Sequence, residues 1–209
     1  MGKRGILLVV SGFSGAGKGT LMKELVKRYE NYALSISATT RSPREGEADG
    51  REYFFKSVEE FERMIAEDAL IEYACYVGNY YGTPRAYVEE QLSRGRDVIL
   101  EIEIQGARKV KKRFPNTLLL FVSPPSAEVL KARLTGRGTE TSEVIAQRLA
   151  RAAEEAEGME DYDYFVVNDV LEECVEQVHR IVEGERSRVF RNKERMEAIR
   201  AELKEFQKG

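Results

Sequence analysis

No apolar run in this chain of 209 residues exceeds five, as in "ILLVV" and "LLLFV", whereas a helix that crosses a bilayer needs about 20. A transmembrane protein is therefore not expected. The opening "MGKRGILLVVSG" meets Gly and Ser too soon for a signal peptide, which makes the cytoplasm the expected location. Charge of one sign is also missing. The 33 Lys and Arg are offset by 36 Asp and Glu, leaving a formal net charge of −3, so no global field draws in nucleic acid or an anionic membrane, and neither is expected as a partner. Any anion site has to be local. Cys75 and Cys174 lack CxxC spacing and have no histidine cluster beside them, so they read as reduced packing residues rather than a disulfide or metal site. His179 is the only histidine, in the helical stretch "VLEECVEQVHRIVEG", where a place on a helix face is expected rather than catalysis. The length suits one domain with inserted subregions.

What the chain does have is "GFSGAGKGT", residues 12 to 20, directly after an apolar strand-like run and before a helical one. Glycines there let successive backbone N–H groups point at an anion near a helix N-terminus, with Lys18 beside them. The pattern G-x-x-x-x-G-K-[ST] puts a hydroxyl after the lysine, but this chain has Gly19 there and the hydroxyl one residue later, at Thr20. The context of strand, loop and helix favours a nucleoside triphosphate site, Gly12, Phe13, Ser14, Gly15, Ala16, Gly17, Lys18, Gly19 and Thr20, over a merely structural turn.

Short β-rich runs recur at 6–10, 97–104, 117–122 and 164–168, each followed by helical periodicity such as Leu21, Leu25 and Tyr29. Strands apolar on both faces and alternating with helices predict an α/β core, a parallel sheet flanked by helices, assembled from 1–34, 84–132 and 150–182. Two segments break the rhythm. Residues 35–83 are polar and aromatic with Gly turns and read as an inserted subdomain, and 133–149, with Gly136, Gly138 and clustered arginines, reads as a mobile lid. In the tail, 183–209, Met196, Ile199, Leu203 and Phe206 predict a docked amphipathic helix.

In "SATTRSPREGEADGREYFF", Arg41, Arg44 and Tyr53 offer two guanidinium forks and a phenol, either for a second, smaller phosphate or as a solvated basic loop. Glu72 lies in "LIEYACY", where a carboxylate needs a partner. Guanine supplies one: among the common bases it alone offers N1–H and N2–H₂ side by side to a carboxylate. Ser37 and Thr83 supply hydroxyls for its other polar atoms, and Tyr81 could add a phosphate contact. Arg133 and Arg137 are i, i+4, and Arg148 follows on the next helix, an arrangement for neutralising a transferring phosphoryl group or, alternatively, a solvated helix with ion pairs. Glu101 and Glu103, i, i+2 on a predicted strand, would share a face toward nucleotide or Mg²⁺ waters.

The stretches "SGFSGAGKGT", "SATTRSPREGEADGREYFF", "GNYYGT", "LEIEIQGA", "RLTGRGTETSEVIAQRL" and "VVND" together resemble the guanylate kinase family, over residues 11 to 169 and in the family's order. The resemblance implies a P-loop kinase fold with a GMP-binding insert at 35–83, acting in purine nucleotide metabolism on ATP and GMP to give ADP and GDP. It implies that Arg41, Arg44, Tyr53 and Tyr81 hold the GMP phosphate, that Ser37, Glu72 and Thr83 hold guanine, and that Glu101 lies at a GMP-binding position. Arg137 and Asn168 would lie beside adenine, Lys18, Arg133, Arg137 and Arg148 would be catalytic, and Thr20 would reach the nucleotide phosphates. Mg²⁺ would accompany ATP, held mainly by phosphates and waters, with Thr20 and Glu103 as candidate protein ligands. The chain departs from many relatives in having Phe13 where they have Pro, and Glu101 and Glu103 where some have Asp. The alternatives are a guanylate-kinase-like scaffold that no longer catalyses, which would have no need of Lys18 and the lid arginines, and a kinase for AMP or dTMP, which Glu72 disfavours.

Overall fold

A computed structural model describes residues 4–76, 78–136 and 141–207. Along the chain come β1 (Leu7–Gly12), α1 (Lys18–Arg28), β2 (Tyr32–Leu34), β3 (Ala38–Thr39), β4 (Phe54–Phe55), α2 (Val58–Ala66), β5 (Leu70–Tyr76) and β6 (Asn79–Pro84). There follow α3 (Arg85–Ser93), β7 (Asp97–Glu101), α4 (Ile104–Arg113), β8 (Leu118–Ser123), α5 (Ala127–Thr135), α6 (Ser142–Ala156), β9 (Tyr164–Val167), α7 (Leu171–Glu185) and α8 (Lys193–Phe206).

Side chains alternate across a strand, so a strand apolar at every position has to be covered on both sides. All of β8 is buried, and the sheet β2-β7-β1-β8-β9, parallel at every pairing, is sandwiched between helices. On one face Leu8, Val10, Ile99 and Leu120 meet Leu21, Met22 and Leu25 of α1 and Val175, Val178 and Val182 of α7. On the other, Val9, Val98, Leu100 and Leu119 meet Val88 and Leu92 of α3 and Ala107 and Val110 of α4. This is the predicted α/β core. Burying each large apolar residue of α1 contributes about 1.5–3 kcal/mol, enough to hold the helix N-terminus where β1 ends. The Cys174 thiol lies in this core, its pKa pushed up to about 11 by burial. His179 stacks on Tyr29 at 3.7 Å between ring centroids and its Nδ1 lies 2.9 Å from the Tyr32 hydroxyl, so it ties α7 to α1 and β2.

Residues 38–84 form a second sheet, β4-β3-β6-β5, with β3 and β4 parallel and the other pairings antiparallel. Phe61 of α2 is fully buried against it and stacks on Tyr80 at 5.1 Å. A reciprocal cap starts α2: Glu60 N–H donates to Ser57 Oγ at 3.1 Å, and Ser57 N–H to Glu60 Oε2 at 2.8 Å. Where this sheet meets the core, Asp68 pairs with Arg85 at 2.6 Å and with Arg113, which also donates to the Leu70 carbonyl at 3.0 Å.

Two sequence expectations need correction. The strand predicted over 97–104 ends at Glu101, because the Glu103 carboxylate captures the N–H groups of Gln105 and Gly106, at 3.0 and 2.9 Å, and starts α4. Glu101 and Glu103 are therefore not a same-face strand pair. The tail does form a helix, α8, but it is not docked: no residue in it is buried, and Ile199, Leu203 and Phe206 are 47%, 57% and 82% exposed. Its anchor is the turn before it, where Asn192 donates to the carbonyls of Arg186 and Arg188 at 2.8 and 2.9 Å; beyond that, good helix formers sustain it.

Candidate active site

Every strand of the central sheet points its carboxyl end the same way, and the loop after β1 lies at that end, where ligands of such sheets bind. Gly12 leaves β1 so close to β8 that a Cβ on it would stand 2.0 Å from the Val122 carbonyl oxygen. Ala16 N–H donates to the Phe13 carbonyl at 3.0 Å, rounding the loop, and Gly17 at φ 85° opens α1. The Phe13 ring is buried edge-on against Phe121 at 5.1 Å, which fixes the loop to the core. The Lys18 ammonium lies across the loop and donates to the carbonyls of Gly12 and Phe13 at 2.8 and 3.1 Å. Thr20 is exposed on the first turn of α1.

A cleft opens from this loop, with Gly12, Ser14 and Lys18 on one side, Glu101 and Glu103 on another, and Arg148 and Arg151 of α6 facing them. Arg151 is missed by the sequence reading, although its i+3 spacing from Arg148 is a signal for the same face. Arg133 of α5 reaches beneath the loop instead and donates to the Asn168 carbonyl at 2.9 Å. The Asn168 side chain is buried and donates to the Ala16 carbonyl at 2.8 Å. Arg137 lies outside the described residues, so its predicted helix-face partnership with Arg133 does too.

The second sheet assembles the other group of candidates. The β5–β6 register shifts between Leu70 and Tyr73, and a bulge re-aims the side chains inside it, Glu72 among them. Gly82 opposite makes this possible, since a Cβ there would stand 2.9 Å from the Glu72 carbonyl oxygen. The buried Thr83 hydroxyl donates to Glu72 Oε1 at 2.7 Å. Burial pushes the Glu72 carboxyl above its ordinary range; the Thr83 bond pulls it back, Glu103 adds to the rise and Lys109 opposes it. Ser37 stands just before β3 and is half-buried.

Arg41 is held on several sides. One terminal nitrogen donates to both Glu47 oxygens at 2.9 Å, the other to the Ser42 carbonyl at 2.7 Å, and the guanidinium lies 5.3 Å from the Tyr53 ring centroid. Tyr53 meets Tyr81 edge-on at 6.0 Å. Arg44 is exposed, and its backbone N–H donates to Glu47 at 2.8 Å. That bond first, and Arg41 after it, hold the Glu47 carboxyl below the usual range. Arg41, Tyr53 and Tyr81 thus come together as predicted candidates, with Glu47 as an organiser that gives no signal in sequence beyond an acid in a basic loop.

Among the described residues no three His, Cys, Asp or Glu side chains gather into a metal cage. Glu101 Oε2 nonetheless comes within 3.9 Å of where a Cβ on Gly19 would stand, so a hard carboxylate oxygen borders the loop. That donor set fits Mg²⁺, which keeps several waters and takes few protein ligands.

The family model described as guanylate kinase matches residues 4–185. A guanylate kinase from Caldanaerobacter subterraneus subsp. tengcongensis is 50% identical over 200 residues, 96% of this chain and 97% of that protein. One from Bacillus cereus is 54% identical over 187 residues, 89% of this chain and 91% of that one. The crystal structure of guanylate kinase from Anaplasma phagocytophilum superposes with a TM-score of 0.70 at 33% identity, covering 90% of each chain. With a phosphate loop, a second sheet bearing a half-buried carboxylate and relatives matched over nearly their whole length, this chain belongs to the guanylate kinase family.

Proposed function

We propose that this guanylate kinase transfers the γ-phosphoryl group of ATP to GMP through two sites facing one cleft. The observation that carries the acceptor assignment is the Glu72 carboxylate, half-buried and met by the Thr83 hydroxyl at 2.7 Å. Guanine satisfies such a group with N1–H and N2–H₂, and Ser37 and Thr83 complete the base pocket. The GMP phosphate falls to Arg41, Arg44, Tyr53 and Tyr81, with Glu101 bordering the acceptor. Residues 12–20 wrap the ATP phosphates, and Arg137 flanks adenine.

In the reaction a GMP phosphate oxygen forms a bond to the γ-phosphorus as the bond to the β–γ bridging oxygen breaks, and ADP leaves with the electron pair. The protein's part is alignment and charge. Lys18 exchanges loop carbonyls for phosphate oxygens, and Arg133, Arg137 and Arg148 neutralise the transferring group as 133–149 moves as a lid and 35–83 as a hinged insert. Closure excludes water, which would otherwise accept the phosphoryl group. Mg²⁺, when bound with ATP, shields phosphate charge; Thr20 and Glu101 are the protein groups nearest to hand, while both Glu103 oxygens already cap α4. No helix among the described residues is long and apolar enough to cross a membrane, and the cytoplasm, where both nucleotides occur, is the proposed location.

A coupled assay with ATP, Mg²⁺ and a panel of monophosphates tests this reading. GMP should be turned over far faster than AMP or dTMP; equal rates would contradict it.

A further inference from the structure

Asn168 sits at the end of β9 with only 6% of its surface exposed, and both its backbone groups are tied down. Its N–H donates to the Ser123 carbonyl at the end of β8 at 2.8 Å, and its carbonyl accepts from Arg133 at 2.9 Å. The side chain faces the underside of the phosphate loop. There Nδ2 donates to the Ala16 carbonyl at 2.8 Å, which also accepts a longer bond from Arg133 at 3.5 Å. Only the amide nitrogen can face a carbonyl oxygen, so the donor direction is settled by chemistry.

We infer that Asn168 is a positioning residue for the triphosphate, acting through the Ala16–Gly17 peptide. In a trans peptide the carbonyl and the following N–H point in opposite directions. Holding the Ala16 carbonyl toward Asn168 therefore aims the Gly17 N–H away from Asn168, toward the anion side of the loop. Gly17 serves the same arrangement twice. Its φ of 85° is a conformation that side chains rarely adopt, and a Cβ on it would stand 2.6 Å from Asn168 Nδ2. This role differs from a contact with adenine, because any ligand that presents phosphates to the loop feels it, whatever base it carries.

The inference rests on residues 12–20 being the triphosphate site. Inorganic tripolyphosphate, which has no base, separates the two ideas when used as a competitor against ATP, with GMP affinity measured alongside. In Asn168→Ala, ATP and tripolyphosphate should weaken by the same factor, ~10- to 100-fold, the scale expected for a small misplacement of binding groups, while GMP affinity holds. Asn168→Asp keeps the shape but sets an acceptor against the carbonyl. Its tripolyphosphate affinity should recover as the pH falls and the carboxyl becomes a donor again. Weakening of ATP without tripolyphosphate would assign Asn168 to adenine and overturn the inference. So would a parallel loss of GMP affinity, which would mark Asn168 as a mere support of the fold, or unchanged affinity for all three ligands. If tripolyphosphate fails to compete with ATP in the unsubstituted enzyme, the phosphate-loop reading itself falls and the inference goes with it.

Discussion

The Thr83 hydroxyl and the Glu72 carboxylate face each other across β6 and β5 at 2.7 Å, in a pocket that burial has made costly for a negative charge. A carboxyl whose pKa is raised on folding stabilises the fold when protonated and opposes it when ionised. Above its raised pKa, Glu72 therefore costs the ligand-free enzyme stability, and that cost disappears as the pH falls past the ordinary glutamate value of 4.5. Glu72→Gln should raise Tm at neutral pH, with the gain over the unsubstituted enzyme shrinking as the pH is lowered through that window. GMP affinity should move the opposite way: it should weaken as the pH falls, beginning above pH 4.5, because the protonated acid no longer offers two acceptors to guanine. A pH series of melting curves and GMP titrations checks both.

Lys18 is expected to contribute through charge and not through packing, since its ammonium reaches two loop carbonyls and lines the cleft. Lys18→Met keeps most of the length and should lower kcat by ~10²–10³ with little change in Tm, as steady-state kinetics and calorimetry on one preparation would reveal.

The two candidate Mg²⁺ ligands should behave differently. Because both Glu103 oxygens accept helix N–H groups, Glu103→Ala should cost about 1 kcal/mol in stability and leave the Mg²⁺ dependence of the rate unchanged. Thr20→Ala should weaken ATP binding while activity stays strictly Mg²⁺-dependent. Rates measured across a Mg²⁺ series, with denaturant unfolding of each variant, separate these outcomes.

Closure of the insert and the lid should appear in hydrogen exchange. With GMP and a non-hydrolysable ATP analogue together, amides in 35–83 and 133–149 should exchange more slowly than with either alone, while β1 and β8, already buried, should barely change. Equal exchange in all samples would argue against a moving lid.

Legibility in the sequence followed physical cause. β1, β8 and β9 are readable because each is a short apolar run between turn signals, and the phosphate loop because three glycines and a lysine at fixed spacing have few other uses. β2 escapes notice because "YAL" is too short to carry periodicity. The end of β7 is misread because Ile102 and Ile104 continue its alternation, and only the Glu103 cap, a three-dimensional fact, breaks it. Glu72 stands out as an acid among aromatics, but the bulge that aims it and the hydroxyl that meets it depend on pairing 11 residues away. Glu47 and the Asn168 bond to Ala16 have no sequence signature, since each is defined by a partner whose position only the fold supplies.

The central claim, that Glu72 selects the acceptor, is tested most directly by kcat/KM for GMP, IMP and AMP with the unsubstituted enzyme and with Glu72→Ala. IMP keeps N1–H but lacks the exocyclic amine, so it should fall between GMP and AMP, with a span of up to ~10⁴–10⁵ from GMP to AMP, the range reached by sites that hydrogen-bond a substrate group its rival lacks. In Glu72→Ala the three values should collapse toward one low level. Full retention of the preference for GMP over IMP and AMP in that variant would contradict the account and move guanine recognition to other residues.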